Sequence, residues 1–198
     1  MANDIKPGRK PKAPKIAISN EWIENYKRYY PLIEQKAKKF GIDPKIAFKT
    51  FLLESGSQKN PTNLFQLQVG SITDVGMSGL DMSDPELNTE AAMRYMSMLR
   101  NQGIPMEEMP TAWRLGKLGY DQHKMGLLKN RAAKDDLTSR LWWGSAADQF
   151  LSEPPTLASD KIKPISDERI GGSEQTLPEY KEGVGSVIQR YLKNLLGF

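Results

Sequence analysis

The sequence contains no cysteine and a single histidine, His123. The first absence excludes disulfides, thiolate metal sites and cysteine nucleophiles. The second excludes a histidine-built zinc site and any H-E-x-x-H metalloprotease. No run approaches the roughly 18 apolar residues that a membrane-spanning helix requires. Residues 1–15 are basic and carry three prolines, without the apolar stretch of a secretory leader, so no Sec address is expected. A strong charge of either sign is missing as well. The net charge of +4 suits an anionic wall polymer, a membrane surface or nucleic acid and does not choose among them; a purely nucleic-acid-binding role fits poorly, since the charge is mild and its densest cluster lies in the N-terminal arm.

What is present is an ordinary globular composition, 38% hydrophobic and 26% charged, in 198 residues, enough for one domain with extensions. Residues 1–19 read as a flexible basic arm and residues 20–198 as the domain. Ser19 or Asn20 caps a predicted helix from Glu21 to about Phe40, with Pro31 as a kink or break and Gly41 as its end. Asp43-Pro44 opens a second helix to about Ser55. A polar loop follows, then an apolar stretch from Leu64 to Val69, helix or strand, and a turn-rich segment from Gly70 to Ser83. A third helix is capped near Asn88 and stopped by Gly103-Ile104-Pro105. A fourth spans about Met109 to Leu118, and helical pattern returns from His123 to Leu141. Residues 144–178 read as a long surface loop or insertion, and a last helix starts near Pro178. The fold class expected is mainly α.

The second helix is the informative one. At about 100° per residue, Ala47, Thr50, Phe51 and Glu54 share one side and Lys45 and Lys49 the other. Glu54 therefore lies among core-facing residues, in the last turn, where the helix dipole disfavours negative charge. It is the only acidic residue between Asp43 and Asp74. Burial and dipole both favour a protonated carboxyl, which is what a glycosidic leaving oxygen needs from a general acid. A structural carboxylate capping the next loop fits the same pattern.

The flanking residues bring a resemblance. Ile46 to Ser55, an apolar helix closing on Glu54-Ser55, resembles the catalytic helix of the lytic transglycosylase family, and Asn60-Pro61 follows as that family's Asn-Pro often does. Asn63-Leu64-Phe65-Gln66-Leu67 is similar to its Gly-Leu-Met-Gln-Leu segment. Asp84-Pro85-Glu86-Leu87-Asn88 with Ala91-Ala92-Met93-Arg94-Tyr95-Met96 is similar to its D-P-x-x-N turn and Ala-Arg-Tyr-Leu helix. Ala112-Trp113-Arg114-Leu115-Gly116 stands where the family has Ala-Tyr-Asn-Ala-Gly, and Thr176 to Val184, with Tyr180, resembles its closing segment. The match departs in a short loop between Glu54 and Gln66, in Asn63 for Gly and in Arg114 for Asn.

The resemblance implies an α+β lysozyme-like domain and a peptidoglycan lytic transglycosylase. Glu54 would be the catalytic acid/base, cleaving the bond between N-acetylmuramic acid and N-acetylglucosamine with formation of a 1,6-anhydromuramic ring. Substrate contacts would come from Ser55, Gln66, Tyr95, Trp113, Tyr120 and Tyr180. No cofactor and no metal are implied. The partners expected are peptidoglycan glycan strands and other virion proteins. The setting expected is a phage virion, and on infection the host periplasm and wall, after synthesis in the host cytoplasm. Two alternatives stay open. A hydrolytic muramidase needs a second carboxylate, with Asp74, Asp81 and Asp121 as candidates. A phage-lysozyme pattern would place Asp and Thr where Asn63 and Val69 stand. A virion adaptor would keep the fold without the chemistry.

Overall fold

Ser19 accepts a hydrogen bond from the backbone N–H of Trp22 at 3.3 Å, and the chain enters a helix there. The computed structural model describes residues 19–155. Helices make up 70% of these, and none of them lies in a strand. The order is α1 (Asn20–Lys39), α2 (Pro44–Ser55), α3 (Val69–Asp74), α4 (Pro85–Asn101), a 3-10 turn (Met106–Glu108), α5 (Met109–Lys124) and α6 (Arg131–Ser152). No helix among the described residues is long and apolar enough to cross a membrane.

Local chemistry sets most boundaries. Pro31 is accommodated inside a continuous α1, and Gly41, at φ 64°, supplies the left-handed turn that lets Ile42 N–H reach back to Ala37 C=O. Asp43 and Asp84 cap α2 and α4, each followed by proline in the first turn, where a missing N–H costs nothing. Thus α4 starts at Pro85, and Asn88 is not its cap. Residues 64–68 form no regular element, and α3 (Val69–Asp74) takes the last residue of that apolar stretch and the start of the segment expected to be turns.

The helix α2 is the central element, packed against α1, α5 and α6. Its apolar residues are spread around much of its circumference, and Ala47, Phe48 and Phe51 are fully buried. Aromatic contacts run through the core from Trp143 and Trp22 by way of Phe150, Tyr26, Phe48, Phe51 and Phe65 to Trp113 and Tyr95. Truncating a fully buried ring such as Phe51 to alanine costs about 3–5 kcal/mol.

The largest departure from the sequence expectation is α6. Helical pattern was expected to end near Leu141, with a loop from 144. Instead the chain breaks at 125–130, Asn130 caps a new helix, and that helix continues to Ser152. Gly144 and Ala147 are buried in it, and a Cβ built at Gly144 would meet Lys49 Cε at 3.4 Å. Small residues here let α6 approach α2 closely. Trp143 packs on Trp22 while remaining half exposed. Lys49, expected on a solvated face, is instead held by Asp148 of α6 at 2.7 Å. The rest of the expected insertion, the last helix and the basic arm lie outside the described residues.

Helices α1 and α4 are tied by a buried charge. Glu90 is 1% exposed and is met by Lys36 at 3.2 Å and by Lys39 and Arg94 at 3.4 Å each. Burial pushes the Glu90 carboxyl up, but Lys36, Lys39 and Arg94 outweigh it and hold the group below the usual carboxylate range. The folded carboxyl therefore titrates below its unfolded value of 4.5. Its stabilisation is complete above that pH and is lost as the pH falls through the lower folded value. Replacing Glu90 by Gln is expected to lower stability at neutral pH by on the order of 3 kcal/mol, because the buried anion that Lys36, Lys39 and Arg94 share is removed, Lys36 keeping Glu86 at 3.1 Å. It should also flatten the acid limb of stability against pH; urea denaturation across pH 3–7 checks both.

Candidate active site

Four of the residues singled out in the sequence line one cavity of about 180 Å³: Glu54, Gln66, Tyr95 and Trp113. They come from the end of α2, the following loop, α4 and α5. Leu67, Gln68, Ser71, Arg114, Leu115 and Gly116 complete the lining, which is mainly polar. Glu54 has a side chain only 5% exposed and is the one carboxylate among the lining residues.

The loop that carries Gln66 is held by amides. Asn88 is fully buried; its Nδ2 donates to Asn63 Oδ1 and to Met82 C=O, both at 2.9 Å, and its Oδ1 accepts from Phe65 N–H at 3.2 Å. Asn63 in turn brackets Leu67, accepting from its N–H at 3.0 Å and donating to its C=O at 3.1 Å. This explains the D-P-x-x-N spacing: the Asp caps α4, and the Asn one turn later reaches the loop.

The backbone at Gln66 sits at φ 49°, the one non-glycine residue with positive φ among those described. Its side-chain Nε2 donates to Ser55 Oγ at 3.2 Å and to Asn63 C=O at 3.0 Å. Ser55, 1% exposed, donates onward to Asn63 C=O at 3.1 Å. Ser55 therefore lies beneath the cavity and orients Gln66; it is not among the lining residues. A glutamine held in left-handed backbone carries strain of about 1–2 kcal/mol.

Tyr95 and Trp113 form the apolar wall, edge to face with centroids 5.3 Å apart. Trp113 also packs on Phe65, and each of the two is 9% exposed, so both serve the core as much as the cavity. Burial raises the Tyr95 hydroxyl above its ordinary range, with a hydrogen bond to Ser71 opposing and the charge of Asp74 adding. Gly116 breaks α5 beside them, at φ 66° and ψ 172°, a conformation closed to residues with a Cβ.

Besides Ser55, the expected residue Tyr120 does not line this cavity. Tyr120 is buried elsewhere, donating to Glu108 at 2.7 Å; burial first and then Glu108 push its hydroxyl up to about 12. Tyr180 lies outside the described residues. Of the candidate second carboxylates, Asp81 is exposed and bound to Ser83, and Asp121 pairs with Lys117. Neither lines the cavity.

The sequence pictured Glu54 without a charged neighbour. The structure puts Arg140 of α6 on it, Nη1 donating to Oε1 at 2.9 Å. Asp136, one turn before Arg140, is 3.3 Å from Arg140 Nε and accepts from Arg114 Nε at 2.9 Å. A charged chain Glu54–Arg140–Asp136–Arg114 thus closes one side of the site. The signal that marks Arg140 is the Asp136, Arg140, Gly144, Ala147 spacing, which places an ion pair and two small residues along one helix face. Ser71, on a six-residue helix, has no comparable signal.

Comparison with protein-family models, with characterised proteins and with solved structures finds no match for this chain.

Two outcomes check this scaffold by chemical denaturation. Asn88→Ala should destabilise the fold by about 2–3 kcal/mol, since Phe65 N–H and Met82 C=O lose the partner that Asn88 supplies. Gln66→Gly should be more stable than Gln66→Ala by about 1 kcal/mol, because only glycine adopts the left-handed backbone freely.

Proposed function

We propose that this protein is a peptidoglycan lytic transglycosylase with Glu54 as its acid/base, built on a lysozyme-like helical domain. The observation that carries the reading is the meeting of Glu54, Gln66, Tyr95 and Trp113 in one polar cavity, from four separate parts of the chain. Glu54, with a side chain 5% exposed, is the one carboxylate lining that cavity and the only acidic residue of its helix.

In this reading Glu54 gives its proton to the oxygen joining N-acetylmuramic acid to N-acetylglucosamine. The muramyl acetamido group steadies the charge that develops at C1. Glu54 then takes the proton of the C6 hydroxyl as that oxygen bonds to C1. The N-acetylglucosamine end leaves with the first proton, and the 1,6-anhydro ring forms without water. Gln66, pinned by Ser55 and Asn63, is placed to orient an amide or the Glu54 carboxyl. One carboxylate suffices for this route, whereas the usual hydrolytic glycosidases need two. The biological setting that fits is local opening of a bacterial wall by a phage particle.

A second reading is favoured by the Arg140 contact. A carboxylate held in an ion pair has no proton to give, and a domain kept in that state would bind glycan or virion partners without cleaving.

Incubation with Gram-negative peptidoglycan, followed by mass spectrometry of the soluble products, separates the two. Fragments ending in 1,6-anhydromuramic acid are expected, with Glu54→Gln slower by at least about 10²-fold. Products heavier by one water would make the enzyme a muramidase. A folded protein that releases nothing would leave the binding reading.

A further inference from the structure

Arg140 stands between two acids and is hydrogen-bonded to one. Its Nη1 donates to Glu54 Oε1 at 2.9 Å, while its Nε lies 3.3 Å from Asp136 Oδ2, one turn earlier on α6. That second contact is an ion pair without a hydrogen bond, because the buried Nε–H has no acceptor in line. A buried donor left in this way keeps its full desolvation cost. The guanidinium therefore satisfies Glu54 at the expense of its own Nε–H.

The proton that the proposed chemistry needs upsets this balance. A protonated Glu54 carries no charge, and the Arg140 side chain is only 15% exposed. A buried guanidinium without an anion is strongly destabilising. Asp136 is placed to supply that anion. A carboxylate has about four acceptor sites, and the hydrogen bond it accepts here comes from Arg114 Nε at 2.9 Å. Arg114 is half-exposed, so water shares its charge.

The other charged groups nearby do not take this role. Arg140 borders a second cavity, of about 230 Å³, between α2, α5 and α6, together with Lys49, Asp148, Glu107 and His123. Lys49 holds Asp148, both oxygens at 2.7 Å from Nζ, and Glu107 and His123 are exposed. On the Glu54 side, α3 and α4 bring the hydroxyls of Ser71 and Tyr95, α5 brings Arg114, and α1 brings no lining residue among those described.

We propose that Asp136 is a positioning residue for the acid/base: when Glu54 takes up its proton, Arg140 turns its Nε–H onto Asp136 and leaves Glu54 free to act. The inference rests on the acid/base reading of Glu54 and adds how that group holds a proton beside an arginine. Arg140 is paired in both states, so the exchange strands no buried charge. Asp136 lines neither cavity and acts through Arg140. Once the proton has passed to the glycosidic oxygen, the Glu54 carboxylate regains Arg140 until it takes the C6 proton.

The Arg140 Nε–H resonance of the full chain, followed by NMR, reports the exchange without turnover. Glu54→Gln stands in for the protonated carboxyl, being neutral and of the same shape. At neutral pH its Arg140 Nε–H should lie downfield of the wild-type signal, because the hydrogen has gained an acceptor. Adding Asp136→Ala should return the signal upfield. Wild type gives the same reading with no substitution: as the pH is lowered, the Nε–H should move downfield with the same midpoint as the Glu54 carboxyl carbon. An unmoved Nε–H in Glu54→Gln, a shift that survives Asp136→Ala, or a Glu54 that titrates while the Nε–H stands still overturns the proposal. On solubilised glycan strands, Asp136→Ala alone should lower kcat about tenfold, the worth of one charge-assisted hydrogen bond, with KM unchanged. Cleavage at the wild-type rate overturns the positioning role. The downfield shift in a protein that cleaves no wall supports the exchange and overturns the catalytic reading.

Discussion

The site depends on one buried amide. Asn88 has no access to solvent, and its three hydrogen bonds join α4 to the 63–67 loop and to the turn at Met82. A buried amide of this kind is held by geometry as well as energy, since each unpaired group would bear its full desolvation cost. The loop therefore has one conformation, and that conformation includes the left-handed Gln66. Strain at Gln66 is sustained because Asn63, Ser55 and Asn88 leave the backbone no cheaper arrangement.

The same economy of polar groups runs through α2. Its hydroxyls are satisfied inside the protein, its lysines are exposed or paired, and the helix is otherwise apolar. Glu54 is the exception, a carboxylate that the helix itself does not serve and that α6 reaches across to hold. Glu90 shows what a structural buried carboxylate looks like in this fold: it sits among Lys36, Lys39 and Arg94, away from any cavity described above. Glu54 has one cation and opens on a polar cavity. That contrast within one molecule is the physical basis for proposing chemistry at Glu54 while Glu90 ties helices together.

Part of the helical framework was legible residue by residue, though the start of α4 at Asp84 was not. Ser19, and Asp43 with Pro44, mark helix starts because capping is local, and Gly41 and Gly103 mark ends because left-handed backbone favours glycine. The face of α2 carrying Ala47, Thr50, Phe51 and Glu54 was legible from periodicity alone. The misreadings were tertiary in origin. Asn88 was taken for a cap because asparagine suits that role, whereas two of its three partners lie 23 and 25 residues away. Tyr120 was drawn into the site by its neighbourhood in sequence, yet the break at Gly116 sends the rest of α5 toward Glu108. Residues 144–152 were read as loop because the prolines and glycines from Pro154 onward were taken to mark the whole stretch from 144, and small residues that permit close packing resemble small residues that merely terminate.

By itself, then, the sequence determined the helices, the buried face of α2 and the placement of one carboxylate on that face, since these follow from interactions within a few residues. Only the tertiary structure decided that Gln66, Tyr95 and Trp113 converge on Glu54 and that Arg140, 86 residues along the chain, is its partner. Those facts depend on how far α6 runs and how closely Gly144 and Ala147 let it approach, and contacts between distant segments are set by packing, which no local pattern encodes.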